Sequence, residues 1–258
     1  MRWLPDGAKV EAEMTKFNQN IHRFGESERL GVYRAIYERR DIRSTFTPAP
    51  IEDEVLARLL DAAHHAPSVG LMQPWRFILI RDAGVRQGVY EIFKRANEAA
   101  SSIYQDEQKV LYSTLKLSGI LDAPVNLCVI CDSNSKRGHG LGRQTMPETA
   151  VYSTVCAIEN LWLAARAEGV GVCWMSIFQP EELRELLGIP AEMVLVGYLC
   201  LGYVSRFDSQ SELSLQGWEK PASLANFIHF ERYGAADDQR AAELLNSLTD
   251  GEDLESAS

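Results

Sequence analysis

Arg39, Arg40 and Arg43 fall within five residues of a chain whose formal net charge is -10, and Asp41 stands among them. Guanidinium forks suit bidentate contact with a phosphate. A phosphate-bearing ligand is therefore one reading of the segment Arg39 to Arg43. The other is that Arg39 and Arg40 complement the negative end of a helix. Ser68 and Gly70, in the run PSVGLMQP (67–74), offer a hydroxyl and an unhindered backbone N–H, and Gln73 adds an amide able to meet a planar heterocycle. An ordinary Pro/Gly turn competes with that reading. Ser176 closes the apolar run GVCWMS, where strand ends commonly present side chains over a pocket. No base neighbours it in sequence and G-x-S-x-G is absent, so a serine nucleophile of the triad type is not supported.

The elements that must position these residues follow from periodicity. Ser27 is placed to cap a helix running to about Arg40, with Leu30, Tyr33, Ile36 and Tyr37 at helical spacing. Val55, Leu56, Leu59, Leu60 and Ala63 form a second apolar stripe, ending ahead of Pro67. Trp75 to Ile80 (WRFILI) and Pro124 to Cys131 (PVNLCVIC) are aromatic and β-branched runs that predict strands. Residues 83 to about 120 predict two helices between them. Residues 132 to 147 are polar and Gly-containing, predicting either a lid or disorder. Thr149 to Glu168 is apolar on most sides, so this helix is expected to be buried all round, centrally or in a subunit interface. Gly169-Val170-Gly171 stops it, Val172 to Phe178 predicts a strand, Pro180 starts another helix, and Met193 to Val204 is the longest strand pattern. The domain reading is a loose arm over 1–26, one folded domain over 27–233, and an acidic, disordered tail over 234–258.

Bulk properties exclude several classes. A pI near 5.1 disfavours nucleic-acid binding, and no apolar run approaches the ~18 residues a membrane-spanning helix needs. No signal-peptide layout is evident, so a cytoplasmic protein is expected. Cys128, Cys131, Cys156, Cys173 and Cys200 lie in apolar runs and read as reduced, core-packed thiols. Cys128 and Cys131 form a Cys-x-x-Cys, but on a strand they point to opposite faces and cannot chelate together. The five histidines have no ligand spacing, and no metal site is expected. Neither G-x-G-x-x-G nor a P-loop follows any predicted strand.

Read in order, ERRDIRSTF (38–46), APSVGLMQPWRFILI (66–80), YSTVCAIENLWLAARAEGVGVCWMSIF (152–178) and LGIP with VGYLCLGYV (187–190, 197–204) resemble the nitroreductase superfamily. More narrowly they resemble the 5,6-dimethylbenzimidazole synthase family of cobalamin lower-ligand synthesis. The resemblance covers about residues 28 to 233. It implies an α+β, nitroreductase-like fold, with a mixed central sheet flanked by helices, and a homodimer with an extended C-terminal arm. It implies oxygen-dependent conversion of reduced FMN, consumed as substrate, to 5,6-dimethylbenzimidazole and erythrose 4-phosphate. O2 is the co-substrate, and a separate NAD(P)H-dependent flavin reductase supplies the reduced flavin.

The flavin-binding set so implied is Arg39, Arg40, Asp41, Ile42, Arg43, Ser68, Gly70, Gln73, Ser176 and Arg206, with Gly70 presenting its N–H to flavin N5. Asp41 and Ser176 are the implied catalytic pair. Arginine neighbours are expected to keep Asp41 ionised. Two alternatives remain open, an NAD(P)H-dependent flavin or nitro reductase in which FMN is recycled, and a flavin carrier without turnover.

Overall fold

The strand Val125–Cys131 (β2) is buried along its whole length, because helices cover both faces of the sheet it centres. Alternation sorts its side chains: Val125, Leu127 and Val129 join one core, Cys128 and Ile130 the other. In this computed structural model, residues 22–235 and 237–249 are described. The chain comprises two units, Met1–Tyr37 and Glu38–Ser258.

Among the described residues of the first unit lies the helix Glu26–Glu38 (α1), whose last residue opens the second unit. Gly25 rather than Ser27 precedes its first turn: the Glu28 carboxylate accepts the Gly25 N–H at 2.8 Å, the back-reaching half of a capping box. Leu30, Val32, Tyr33, Ile36 and Tyr37 are exposed, and Tyr33 stacks on Tyr37. The arm expected at 1–26 lies outside the described residues up to position 21.

The second unit is built on four strands: Trp75–Ile80 (β1), β2, Val170–Met175 (β3) and Val194–Tyr203 (β4). They run in the order β1-β2-β4-β3, and every neighbouring pair is antiparallel. The expected mixed sheet is thus reduced to one parallel bridge, Asp41 to Val172, beside the outer strand β3. One face packs on the helices Asp53–His64 (α2) and Thr149–Ala167 (α5) through Leu56, Leu59, Ile158 and Leu161. The other packs on Ala83–Ser101 (α3) and Pro180–Leu187 (α6) through Val89, Phe93 and Leu183. Each such aliphatic side chain removed from water contributes about 1.5–3 kcal/mol. Asp106–Thr114 (α4) contributes Tyr112, which with Tyr104 packs against Trp218.

Other boundaries also differ from the sequence expectation. β3 starts at Val170, because Gly169 alone, at φ +74°, ends α5. Gly171 is a strand residue, and a Cβ there would sit 2.4 Å from Val204 Cγ1. The expected tail instead contains the helix Asp238–Thr249 (α8), which buries Ala241. Residues 250–258 lie outside the described residues. A short helix, Glu212–Leu215 (α7), precedes α8, with the Ser211 hydroxyl capping the N–H of Ser214.

α5 is not buried all round: Tyr152 is 54% and Val155 38% exposed, and Cys156 is exposed, unlike the other four cysteines. Cys128 and Cys131 do face opposite ways, into separate cores, and burial pushes the Cys128 thiol up to about 12.

Candidate active site

Asp41 is placed by the sheet edge. α1 stops at Glu38 rather than Arg40, and the chain turns extended, so that Ile42 donates its N–H to Val172 O at 2.9 Å. Asp41 Oδ1 accepts the N–H of Trp174 at 3.1 Å, and Oδ2 accepts from the Arg43 guanidinium. The Asp41 side chain remains 28% exposed, so it is reachable from outside. Its pKa is raised above the ordinary 3.8: loss of water is the largest influence, and Glu212 adds to it. Arg43, the Trp174 N–H and Cys173 pull the other way without cancelling it.

Of the neighbouring arginines expected to keep Asp41 ionised, Arg43 contacts its carboxylate and lowers its pKa against the effect of burial. Arg39 lies over the Trp162 ring at 4.8 Å, and its Nε is 3.5 Å from Glu159. That buried Nε makes no hydrogen bond among the described residues. Arg40 donates to the carbonyls of Arg39, at 2.7 Å, and of Ser209. Arg206 is mostly exposed and pairs with Asp208 at 2.7 Å. Ile42, expected in the binding set, is 1% exposed and belongs to the core, with its N–H already given to Val172. The segment after β4 is strapped to this turn: Thr45 Oγ1 donates to Arg206 O at 3.2 Å, and one oxygen of Glu212 accepts the N–H groups of Arg43 and Ser44 at 3.0 and 3.1 Å.

The second half of the site is the loop between α2 and β1. Gly70, Leu71 and Gln73 all take left-handed φ, of +54°, +54° and +47°, a conformation costly for the two non-glycine residues. Ser68 Oγ accepts the Gln73 N–H at 3.1 Å, and Ser153 Oγ, on α5, accepts that of Val69 at 3.0 Å. The Gln73 amide is also engaged internally, its Oε1 accepting from Arg137 at 2.9 Å. Ser68 and Gln73 thus shape the loop. Gly70 N–H makes no hydrogen bond among the described residues.

Residues 132 to 147 are ordered over this loop. Gly138 approaches so closely that a Cβ on it would lie 2.4 Å from Gly70 O, and a Cβ on Gly70 would lie 3.0 Å from the carbonyls of Gly138 and Leu141. Arg143 ties the segment to itself through Ser133 O at 2.6 Å. A cavity of about 590 Å³ opens between Gly70 and residues 138–145. A smaller one, about 370 Å³, lies between α3 and residues 115–122, and none of the expected site residues lines it.

One helix holds both halves: Ser153 anchors the Gly70 loop, while Trp162 Nε1 donates to Arg40 O at 3.3 Å. At about 1.5 Å per residue, positions 153 and 162 are roughly 13–14 Å apart along the axis. Ser176, exposed just past β3, lies two positions beyond Trp174, whose N–H meets the Asp41 carboxylate, and it makes no hydrogen bond with Asp41 among the described residues. Sequence reading missed Ser153, Glu212 and the Trp174 N–H. Only the capping pattern at Ser211-Glu212 gave any local signal.

A charged turn and a glycine-shaped loop, both fastened to the helix behind an antiparallel sheet, define an α+β ligand-binding enzyme scaffold. Residues 36–203 match the nitroreductase family, and the chain belongs to it. Among solved structures, iodotyrosine deiodinase bound to FMN and 3-iodo-L-tyrosine aligns with a TM-score of 0.60 at 20% identity, over 79% of this chain and 98% of that one. A nitroreductase family protein from Clostridium novyi NT aligns at 0.53 and 18% identity, over 81% and 97%.

The kinship is narrower by sequence. A 5,6-dimethylbenzimidazole synthase of Rhodospirillum rubrum is 44% identical over 196 residues, 76% of this chain and 92% of that protein. A second, from Rhodobacter capsulatus, is 40% identical over 197 residues, 76% and 95%. Within the nitroreductase family, the chain is a member of the 5,6-dimethylbenzimidazole synthase group.

Proposed function

We propose that this chain converts reduced FMN, with O2, to 5,6-dimethylbenzimidazole and erythrose 4-phosphate. The observation that carries this reading beyond flavin binding is Asp41, a reachable carboxylate of raised pKa paired with Arg43. A site built only to grip a phosphate gains nothing from a negative charge there.

The residues fit FMN. Gly70 offers an N–H with no internal partner among the described residues, in a backbone conformation that favours glycine. Arg39 carries a buried Nε without a hydrogen bond there. Arg39, Arg40, Arg43 and Arg206 hold the phosphate and ribityl oxygens, and the Gly70 N–H faces ring N5. Ser176 works near the ring. Reduced FMN supplies both the electrons and the carbon skeleton of the product.

Asp41 would accept a proton from a ribityl hydroxyl whose oxygen becomes the aldehyde of erythrose 4-phosphate, while the pair of the broken carbon–carbon bond passes to the ring side made electron-poor by O2. The raised pKa of Asp41 makes it a stronger acceptor than a solvated aspartate. Arg43 orients that carboxylate and neutralises part of its charge. Residues 137–142, packed over Gly70, keep bulk water from the reacting ring.

A second copy of the chain covers the open Tyr152 and Val155 face of α5, giving a homodimer. A separate NAD(P)H-dependent reductase delivers the reduced flavin, in the cytoplasm. No described helix is long and apolar enough to cross a membrane.

Incubating purified protein with chemically reduced FMN in air and analysing products by mass spectrometry tests the proposal. 5,6-Dimethylbenzimidazole is expected. Reoxidised FMN as the sole product would overturn it, and steady NAD(P)H oxidation with intact FMN would favour a reductase instead.

A further inference from the structure

Glu212 is the most buried charged side chain near Asp41, at 7% exposure, and it is not among the residues expected from the sequence. One oxygen accepts two successive backbone N–H groups, those of Arg43 and Ser44. The other is buried with no hydrogen-bond partner among the described residues. A carboxylate held this way is costly unless its charge or its grip is used.

Its grip is on the turn whose next useful group is the Arg43 guanidinium, and that guanidinium holds Asp41. Its charge is felt at Asp41 and at Arg206. The charged and titratable groups facing Asp41 are Arg43 from its own segment, Cys173 from β3 with Cys200 of β4 behind it, and Glu212 from α7.

We propose that Glu212 is a positioning residue for the Asp41–Arg43 pair, its buried carboxylate fixing the turn that aims Arg43 and placing a second negative charge beside the pair. This rests on the reading of Asp41 as the proton acceptor, but the coupling itself is a property of the free protein. Geometry and charge can be separated, because glutamine at position 212 retains an oxygen for both N–H groups while losing the charge.

The test is a carbon-13 titration of the Asp41 carboxyl in the protein without flavin, wild type against Glu212→Gln, with thermal melting alongside. In Glu212→Gln the Asp41 midpoint is expected to fall by roughly half a pH unit or more, with the melting temperature little changed. Glu212→Asp, which keeps the charge, should leave the Asp41 midpoint closer to that of the wild type, and this variant keeps the proposal exposed should Glu212→Gln not fold. Glu212→Ala, which loses the grip as well, should lower the melting temperature and loosen the Arg43–Asp41 contact. An Asp41 midpoint unmoved in Glu212→Gln, or moved as far in Glu212→Asp as in Glu212→Gln, overturns the proposal. If the coupling is present but no dimethylbenzimidazole forms, the functional reading fails and the coupling stands.

Discussion

The two halves of the site are held by opposite means. The Arg39–Arg43 turn is fixed by charge and strand pairing: Asp41 sits between Arg43 and the Trp174 N–H, and Glu212 clamps the backbone from behind. The Ser68–Gln73 loop is fixed by backbone shape, with three left-handed residues, and its close contact at Gly70–Gly138 is backbone against backbone. Where charge does the holding, substitutions should alter protonation and rate. Where shape does it, they should alter fit and stability.

The largest expected contrast comes from Asp41→Asn, which keeps an oxygen for Trp174 but cannot accept a proton. Product formation should drop at least about a hundredfold, the usual scale of a lost general base. Flavin affinity, followed by fluorescence titration, should stay within about threefold. Equal losses in both would erase the distinction between catalysis and grip.

Gly70→Ala attacks the other half. Its Cβ would meet two carbonyls at 3.0 Å on a residue already at positive φ. A stability loss of about 1–2 kcal/mol by thermal melting is expected, together with weaker flavin binding. An unchanged melt would mean that the loop yields more readily than its contacts indicate.

The pH profile sharpens the charged half. Because the folded Asp41 pKa lies above its ordinary value, the base form is lost as pH falls through that raised value. The acid limb of product formation should therefore lie above 3.8. The same shift gives a stability contribution that is present below the unfolded pKa and fades as pH rises through the folded one. Melting curves of wild type and Asp41→Asn across that window check the sign. Arg43→Ala removes a group that pulls the Asp41 pKa down, so it should move the acid limb higher, opposite to the effect expected of Glu212→Gln. The smallest effect is assigned to Cys156→Ser, on the exposed face of α5: within about 0.5 kcal/mol in a dilute, monomeric sample. A larger loss at high protein concentration would locate Cys156 in a subunit contact.

The charged half was the more legible in sequence, because arginines and an aspartate advertise themselves on an acidic chain. Even so, their geometry was not. The direction of the Asp41 pKa shift could not be read from the adjacent arginines, because burial by elements distant in sequence outweighs the lowering by Arg43. Glu212 acts on a residue 169 positions away, and Ser153 on one 84 away, separations that no local pattern records. Trp75–Ile80 and Pro180–Leu187 could be read directly, since an aromatic, β-branched run and an initiating proline are local determinants. Ser68 and Gln73 were recognised as special, but they shape the loop through internal hydrogen bonds rather than presenting their side chains freely. In the tail, the spacing of Ala241, Leu244 and Leu248 was outweighed in the reading by the acidic residues around them.

The bridge of Asp41 to Val172 has a consequence for how this chain keeps to itself. β3 is an outer strand, and an uncovered outer strand is a template on which other chains can add. Asp41 and Ile42 occupy part of that rim. A deletion or register slip in the 39–43 turn would cost the reactive carboxylate and also unzip a guarded border, so loss of activity and loss of solubility should arrive together.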